Sequence, residues 1–445
     1  MNRQLSTAVL TSFRDADPAQ HRQQLSRFSV RQWQHNFSWL DASGVALYFL
    51  DRLRSLTAED AIPNSVLTQL EQRHADNEQR TTVLFEEFAR INTAFRTAGI
   101  KYANLKGFTL VPGYCPDPSL RCQMDFDFLM GERHAQQCRD LLVSLGYSLM
   151  ASNAQVMEFK SHAGSVPHVK DLYKAKPQHS VEVHLCDDSR FEFQSGLLEN
   201  SVAVTVDGAA YPALAAEDMF LSQASHIFRH IRSEWTRVSW LLELRNFVLS
   251  RREDAAFWRE VRARATEAPG AAIAIGAALS LAEKAFGNFV PDELRDWTVA
   301  TLPALVARWI TRFGDEVLLA DFPGSKLYLI LERELDDSQQ TSKKIRRRLL
   351  PLRGPARVTT AAAVGVGERF KALGFQWRYF FFRLRFHVAQ APRYLWEAWL
   401  WNGLSHSSRG TDEQLLQAVP PAASSECQAG QRLHTSYPSL TVKQQ

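Results

Sequence analysis

Two aspartates separated by one residue, Asp125 and Asp127, form the strongest chemical feature of the sequence. They lie within Met124–Met130, a mostly apolar run that is typical of a β-strand. Because side chains alternate between the faces of a strand, both carboxylates are expected on one face, with Phe126 and Phe128 on the other. Two ionised carboxylates so close together repel each other, and a divalent cation such as Mg²⁺ relieves that repulsion. The pair therefore predicts a metal site.

A third carboxylate, Glu182, lies in a second run with β-strand character, Val181-Glu-Val-His184. From a neighbouring strand Glu182 could bind the same cation, and His184 is expected on the same face. Purely structural roles for these residues are the alternative interpretations. The two aspartates could be solvated on an exposed strand, Glu182 could be an edge-strand charge that discourages aggregation, and His184 could form only local hydrogen bonds.

Basic residues and a glycine precede the acidic strand. Lys106 and Gly107 follow a short predicted strand; the glycine permits close approach of the backbone to a phosphate, and the lysine supplies a positive charge. Arg121 could bind a substrate phosphate through two parallel hydrogen bonds, or it could pair with a surface acid such as Asp117.

Two histidines, His226 and His230, stand four residues apart on a predicted helix. This spacing is compatible with zinc, but no glutamate follows His226 as the metalloprotease pattern requires. Helix packing or phosphate contact is the favoured interpretation.

The elements that must position these residues change in type along the chain. Apolar residues recur every three or four positions up to Ala98, which predicts helices, including Glu78–Ala98. A mixed α/β module follows, with a helix over Glu132–Leu145 and a hairpin turn at Asp207-Gly208. Its predicted strands are Tyr102–Leu105, Met124–Met130, His168–Tyr173, Ser180–Leu185 and Ala203–Val206.

Helical periodicity resumes after the hairpin. The predicted helices are Glu217–Ile231, Arg237–Leu249, Ala255–Ala265, Ala271–Ala285 and Pro303–Phe313. The fold class is therefore α+β, a mixed sheet module flanked by helical regions. The predicted division is a helical region at 1–98, the module at 99–212, a helical domain at 213–335, a basic aromatic segment at 336–404 and a disordered tail at 405–445.

The segment 369–401 has the most unusual composition in the chain. Its aromatic residues exceed what one helix face can bury, and Arg378, Arg383, Arg385 and Arg393 are interleaved with them. Three interpretations are open: the rings cover the helical core or form a dimer interface, they contact an anionic membrane surface, or they bind single-stranded RNA. Membrane contact is favoured over nucleic acid, and the oligomeric state is not predicted.

Composition narrows the class of protein. With 45% hydrophobic and 22% charged residues among 445, the chain is globular, and a net charge of +4 names no partner. Five cysteines without a C-x-x-C pair suit a reducing cytoplasm. The N-terminus lacks a secretory core and no apolar stretch is long enough to span a bilayer. The expected location is cytoplasmic, with a peripheral position at the inner face of the membrane as the alternative.

The order of these motifs resembles the uncharacterised nucleotidyltransferase family within the DNA polymerase beta-like superfamily. The residues that carry the resemblance are Leu105-Lys106-Gly107, Pro116 to Arg121, Asp125-Phe-Asp-Phe-Leu129, Leu145-Gly-Tyr147 and Val181-Glu-Val-His184, with Ser225 to His230 and Trp240 to Leu244 downstream. The similarity covers roughly Trp33 to Phe247. The superfamily usually has Gly-Ser or Gly-Gly where this chain has Lys106-Gly107-Phe108.

The resemblance implies a nucleotidyltransferase-type sheet module and two-metal chemistry. Asp125, Asp127 and Glu182 are the expected catalytic and metal-binding residues, and the cofactor is Mg²⁺ (or Mn²⁺). Lys106, Gly107, Arg121 and His184 are the expected nucleotide- or substrate-binding residues. The partners are then an NTP and an unidentified hydroxyl-bearing acceptor.

Two functions follow from the sequence. The first is transfer of a nucleoside monophosphate from the NTP to the acceptor. The alternative is a catalytically silent binding or regulatory protein of the same fold, linked to polysaccharide synthesis or a membrane surface, which the missing Gly-Ser motif favours.

Overall fold

A seven-stranded mixed sheet with helices on both faces forms the middle of the chain. The computed structural model describes residues 1–15, 17–161, 172–175, 179–186, 196–336, 338–349 and 366–405. Its strands are β1 (Tyr102–Asn104), β2 (Asp125–Gly131), β3 (Tyr147–Ser152), β4 (Val156–Ser161), β5 (Ser180–Cys186), β6 (Val202–Val206) and β7 (Ala209–Ala213).

Helices precede and follow the sheet. Those before it are α1 (Arg3–Thr11), α2 (Pro18–Leu25), α3 (Val30–Ser43), α4 (Ala46–Ser55) and α5 (Asn64–Thr97), and α6 (Ala135–Ser144) lies between β2 and β3. Those after it are α7 (Ala216–Ile231), α8 (Val238–Ser250), α9 (Ala255–Thr266), α10 (Ala271–Phe286), α11 (Asp292–Arg295), α12 (Ala304–Leu318), α13 (Tyr328–Leu335), α14 (Gln339–Leu349) and α15 (Val366–Ser405).

The sheet has the strand order β3-β4-β5-β2-β1-β7-β6. β2 runs parallel to β5 and antiparallel to β1, and β1 is parallel to β7. The two outer pairs, β3 with β4 and β6 with β7, are antiparallel. β2 and β5 therefore lie side by side within the sheet, and neither is an edge strand.

One face of the sheet packs on α5. The apolar residues of this helix recur at intervals of three and four, which places them on one side. Phe88 lies 6.1 Å from Phe126 between ring centroids, and Phe95 lies 5.1 Å from Phe128. This packing turns the aromatic side of β2 toward α5, so the intervening aspartates face the other way.

The helices from the two ends of the chain share a second core. Its buried residues come from α1 to α4 and from α7 to α13 alike. Arg14, just after α1, donates hydrogen bonds to the carbonyl oxygens of Lys284 and Ala285 near the end of α10, at 2.8 and 3.1 Å. These contacts satisfy carbonyl groups that a helix leaves unpaired at its C-terminus.

The predicted α+β fold is confirmed, with a mixed sheet between helical regions. The five predicted helices after the hairpin are all present within a few residues, and the turn Asp207-Gly208 joins β6 to β7. The predicted helix Glu78–Ala98 is the second half of a longer one, α5. Of the predicted strand His168–Tyr173, residues 168–171 lie outside the described part, and Leu172 and Tyr173 form a turn.

β3 and β4 were absent from the predicted strands. β3 is an edge strand with a single buried residue, Tyr147, so its sequence lacks the apolar alternation of a half-buried strand. Residues 406–445 of the predicted tail lie outside the described part, and Ser405 ends α15.

Residues 369–401 form most of α15, and this part of the helix has two different faces. One face is buried in the helical core through Ala391, Tyr394, Ala398 and Trp401. The other face leaves large apolar side chains exposed. Covering the core therefore accounts for only part of this segment. Within the part of the chain that the structure describes, no helix combines the length and apolarity needed to cross a bilayer.

Candidate functional site

The carboxylates come together because β2 and β5 pair in parallel. Asp127 lies directly opposite Glu182 in the strand register, and Asp125 lies opposite Ser180. The alternating apolar residues of both strands are buried in the sheet core on the other face. The sequence pattern thus places Asp125, Asp127 and Glu182 on the face away from α5, as predicted from the alternation.

Asp127 is the centre of the cluster. Asp127 is only 3% exposed. The interpretation that the two aspartates are solvated on an exposed strand is therefore wrong for Asp127. Oδ1 lies 3.0 Å from Lys106 Nζ and 3.4 Å from His184 Nε2. Oδ2 is buried and has no hydrogen-bond partner among the described residues. A buried carboxylate oxygen without a partner is costly, and a bound cation would satisfy it.

Glu182 reaches the same cluster from an inner strand. β5 is flanked by β2 and β4, so the edge-strand interpretation of Glu182 is wrong. His184 Nε2 lies 3.9 Å from Glu182 Oε2, which places His184 in the cluster as well.

The arrangement of donor atoms fits a divalent cation. In the described part of the chain, Asp127, Glu182 and His184 each offer a ligand atom, and these atoms all lie within 4.8 Å of one another. Carboxylate oxygens suit Mg²⁺ and Mn²⁺, whereas an imidazole nitrogen suits other transition metals. Asp125, on the same face two residues before Asp127, is not in this close group. The residues present therefore fit a cation held mainly by carboxylate oxygens.

The charges in the cluster influence one another strongly. Burial and the charge of Asp127 raise the pKa of Asp125 to about 6, and burial with Asp127 and Asp125 raises the pKa of Glu182 to about 8. The pKa of Asp127 is lowered although burial acts to raise it, because Lys106 and His184 stabilise its ionised form. The raised pKa values of Asp125 and Glu182 show that their ionised forms are under-stabilised, and a bound cation would stabilise them.

Lys106 and Gly107 are held beside Asp127 by the backbone. The N–H of Leu105 donates to the carbonyl of Asp127 at 3.0 Å, and Gln223 of α7 donates to the carbonyl of Leu105 at 3.1 Å. Gly107 adopts a φ of +77°, and a Cβ there would lie 2.7 Å from Gln123 Nε2. The positive φ favours glycine, and a Cβ would force the end of the Gln123 side chain to move.

Arg121 pairs with Glu243 and not with Asp117. Its Nε donates to Glu243 Oε1 at 3.2 Å, and the hydroxyl of Tyr48 donates to the same oxygen at 2.9 Å. The side chain of Asp117 instead accepts from the backbone N–H of Ser119. Arg121 is therefore engaged in a buried ion pair, although its charge also lowers the pKa of Asp125.

His226 and His230 lie on α7 beside the site. Their rings are 4.6 Å apart, and each lies within 5 Å of the Trp240 ring. Burial lowers the pKa of both histidines, so both are neutral at pH 7. They belong to no metal-ligand group within the described residues. The two histidines therefore pack against each other and against Trp240, which agrees with the helix-packing interpretation rather than with phosphate contact.

Arg229, also on α7, is a site residue that the sequence did not single out. Burial lowers the pKa of Arg229, and the charges of Asp127 and Glu182 act in the opposite direction. No ion pair of Arg229 with a described residue is formed. The signal in the sequence was its position within the helical motif Ser225 to His230, but only the fold shows that α7 faces the carboxylates.

Comparison with known proteins agrees with the motifs. A comparison with curated proteins gave no match. Residues 29–287, more than half of the chain, match the family described as uncharacterised nucleotidyltransferase. The match is longer at both ends than the expected Trp33 to Phe247, and it includes the whole sheet, α7 and α8. The chain therefore belongs to the uncharacterised nucleotidyltransferase family.

Proposed function

We propose that this protein transfers a nucleoside monophosphate from an NTP to a hydroxyl-bearing acceptor in a reaction that depends on Mg²⁺ or Mn²⁺. Family membership supports transferase chemistry on a nucleotide. The observation that carries the proposal is the pairing of Asp127 with Glu182 across two inner parallel strands, which leaves a buried carboxylate oxygen of Asp127 without a partner.

The proposed cation ligands are Asp125, Asp127 and Glu182. When bound, the cation supplies charge neutralisation for the triphosphate and for the pyrophosphate that leaves. Asp127 is already ionised at neutral pH because Lys106 and His184 keep its pKa low. His184 fixes the orientation of that carboxylate through its 3.4 Å contact, which is a positioning role.

The remaining steps fall to side chains of this protein. The ammonium of Lys106 and the guanidinium of Arg229 provide positive charge for phosphate oxygens near the carboxylates. Glu182, which a bound cation would keep ionised, would accept the proton of the acceptor hydroxyl. Gly107 lets the backbone approach a phosphate closely. Arg121 remains in its ion pair with Glu243 and acts on the site through its charge, which lowers the pKa of Asp125.

Isotope transfer tests this proposal. Purified protein is incubated with Mg²⁺ and a cell extract as the source of acceptors, using NTPs labelled on either the α- or the γ-phosphate. The proposal predicts transfer of the α-label and not of the γ-label, and loss of at least 100-fold in Asp127→Asn. Asp140→Asn, an exposed aspartate on α6, serves as the matched control and is expected to keep full transfer.

A second candidate function is nucleotide binding without turnover, and the Lys106 contact favours it. Lys106 Nζ already lies 3.0 Å from Asp127 Oδ1, where it neutralises part of the charge that a second metal ion would neutralise. This alternative predicts that Mg²⁺ with an NTP raises the melting temperature, because the ligand binds only the folded state, while neither label is transferred.

A further inference from the structure

The outer face of α15 is an apolar stripe with basic residues along one edge. Large exposed side chains recur at intervals of three, four or seven, which aligns them on one side of the helix. They are Leu373, Trp377, Phe381, Leu384, Val388, Leu395 and Trp399. Trp377 is 54% exposed, and Val388 and Trp399 are each 65% exposed. At 1.5 Å per residue the stripe is about 39 Å long.

The charges of the stripe have one sign. Arg378 and Arg385 each follow a stripe residue and stand seven residues apart, so they lie along the same edge of it, and both are exposed. The other charged side chains within 373–403 bind the body of the protein. These ion pairs are Arg383 with Glu234, Arg393 with Glu316 and Glu397 with Arg312, with N···O distances of 2.7 to 3.0 Å.

These ion pairs also show that α15 is firmly attached through its inner face. Trp401 is fully buried and donates from Nε1 to Glu334 Oε1 at 3.0 Å. The apolar stripe therefore faces outward, on a helix whose opposite side is packed against the rest of the protein. Nothing in the rest of the described chain covers it.

More positive charge lies next to this helix. Lys326 donates to the carbonyl of Arg348 at the end of α14, and its Nζ lies 5.7 Å from the centroid of the Phe386 ring on α15. The end of α14 is thus close to the middle of α15. Lys343, Arg346 and Arg347 of α14 are exposed as well.

We propose that the outer face of α15 lies on an anionic membrane surface. Tryptophan and phenylalanine rings occupy the boundary between headgroups and acyl chains, and arginines bind lipid phosphates. The complete absence of acidic residues from the stripe is complementary to anionic lipid. The helix rests in the interface plane and does not cross the bilayer, since its inner face is held by the protein.

Two other occupants fit the stripe less well. A second copy that met this one through the same face would bring Arg378 and Arg385 with no acidic residue to pair with them. Single-stranded RNA would stack on the aromatic rings, but Leu373, Leu384 and Val388 offer no stacking surface.

Vesicle co-sedimentation of the full-length protein tests the proposal. Vesicles of phosphatidylglycerol and phosphatidylcholine are compared with vesicles of phosphatidylcholine alone. We expect binding to the anionic vesicles that weakens with salt, and at least tenfold weaker binding for Val388→Glu and for Trp399→Glu. Val143→Glu, at a 51% exposed site on α6, is the matched control and should bind like the unmodified protein.

The arginines have their own test. Arg378→Gln with Arg385→Gln should weaken binding to the anionic vesicles by more than tenfold, about fivefold for each charge removed. Arg27 and Arg31 are exposed near the N-terminus. The double variant Arg27→Gln with Arg31→Gln is the control and should bind the anionic vesicles like the unmodified protein. All variants alter exposed side chains, and melting temperatures equal to that of the unmodified protein would show that they fold.

Three results would overturn the proposal. The first is equal sedimentation with and without anionic vesicles. The second is a concentration-dependent dimer that Val388→Glu abolishes, with no vesicle binding. The third is tighter binding of an oligo(U) probe than of vesicles, measured by fluorescence anisotropy.

Discussion

At the scale of single residues, the contact between Lys106 and Asp127 determines how much positive charge the carboxylates still need. The ammonium compensates one of three acidic groups, and Asp127, Asp125 and Glu182 together raise its pKa against the effect of burial. Lys106 is therefore both a structural counter-ion and, in the proposed function, a phosphate ligand.

Replacing Lys106 with methionine separates these roles. Without metal, Lys106→Met leaves Asp127 uncompensated, and the free energy of unfolding should fall by about 3 kcal/mol. Added Mg²⁺ should then raise the melting temperature of Lys106→Met more than that of the unmodified protein. Lys101→Met removes a surface lysine paired with Glu199 and is the control. Equal melting temperatures for both variants without metal would contradict this role of Lys106.

The sequence was sufficient to find the acidic residues at this scale but not their partners. Alternation along two strands placed Asp125, Asp127 and Glu182 on a common face. The basic side chains around these carboxylates depend on how α7 packs on the sheet, and no local sequence pattern encodes that packing. Arg229 was missed for this reason, and the partner of Arg121 was found to be Glu243, 122 residues away in sequence.

At the scale of elements, the turn after β1 fixes Lys106 in place. Gly107 has a positive φ, and a Cβ at this position would meet Gln123. Gly146 also has a positive φ, +92°, but a Cβ there would have no neighbouring atom within 4 Å. The two glycines therefore differ in steric contact while they share the backbone requirement.

This difference gives a prediction. Gly146→Ala should cost about 1 kcal/mol of stability because alanine disfavours the left-handed conformation, whereas Gly107→Ala should cost at least about 1 kcal/mol more. Gly107→Ala should also weaken NTP binding, because the turn that carries Lys106 must shift. Chemical denaturation and thermal shift with Mg²⁺ and an NTP measure both effects. Equal stability losses in the two variants would show that the Gln123 contact is unimportant.

Elements with strong periodicity were predictable, and those without it were not. The helices after the hairpin and the strands with β-branched residues were found within a few residues. β3 was missed because an exposed edge strand has no apolar alternation, and the single long helix α15 was not evident because both of its faces carry aromatic residues.

At the scale of the whole molecule, two cores enclose the sheet and the site lies between the sheet and α7. The helices of both chain ends form one of these cores, which the division by sequence pattern did not anticipate. Neutral histidines at this boundary link the stability of the fold to pH. Burial, with the charges of Arg229 and Lys106, lowers the pKa of His230 to about 3, and burial also lowers that of His226.

Acid should therefore destabilise the protein through these histidines. Below about pH 6.5 the unfolded chain binds protons on them while the folded protein does not, so their contribution is complete above pH 6.5 and is lost as the pH falls toward 3. At pH 5 each should cost about 1 to 2 kcal/mol. His226→Gln with His230→Gln should reduce the fall in unfolding free energy between pH 7 and pH 5. An unchanged pH dependence would contradict the assignment.

In the proposed function, the carboxylates on β2 and β5 hold a divalent cation. Electron paramagnetic resonance of Mn²⁺ measures this directly, because the signal of free Mn²⁺ falls as the ion binds. Titration of the unmodified protein and of Asp140→Asn should show the same site, with at least tenfold weaker binding in Asp127→Asn. An identical titration for Asp127→Asn and the unmodified protein, or no binding to either, would contradict the claim.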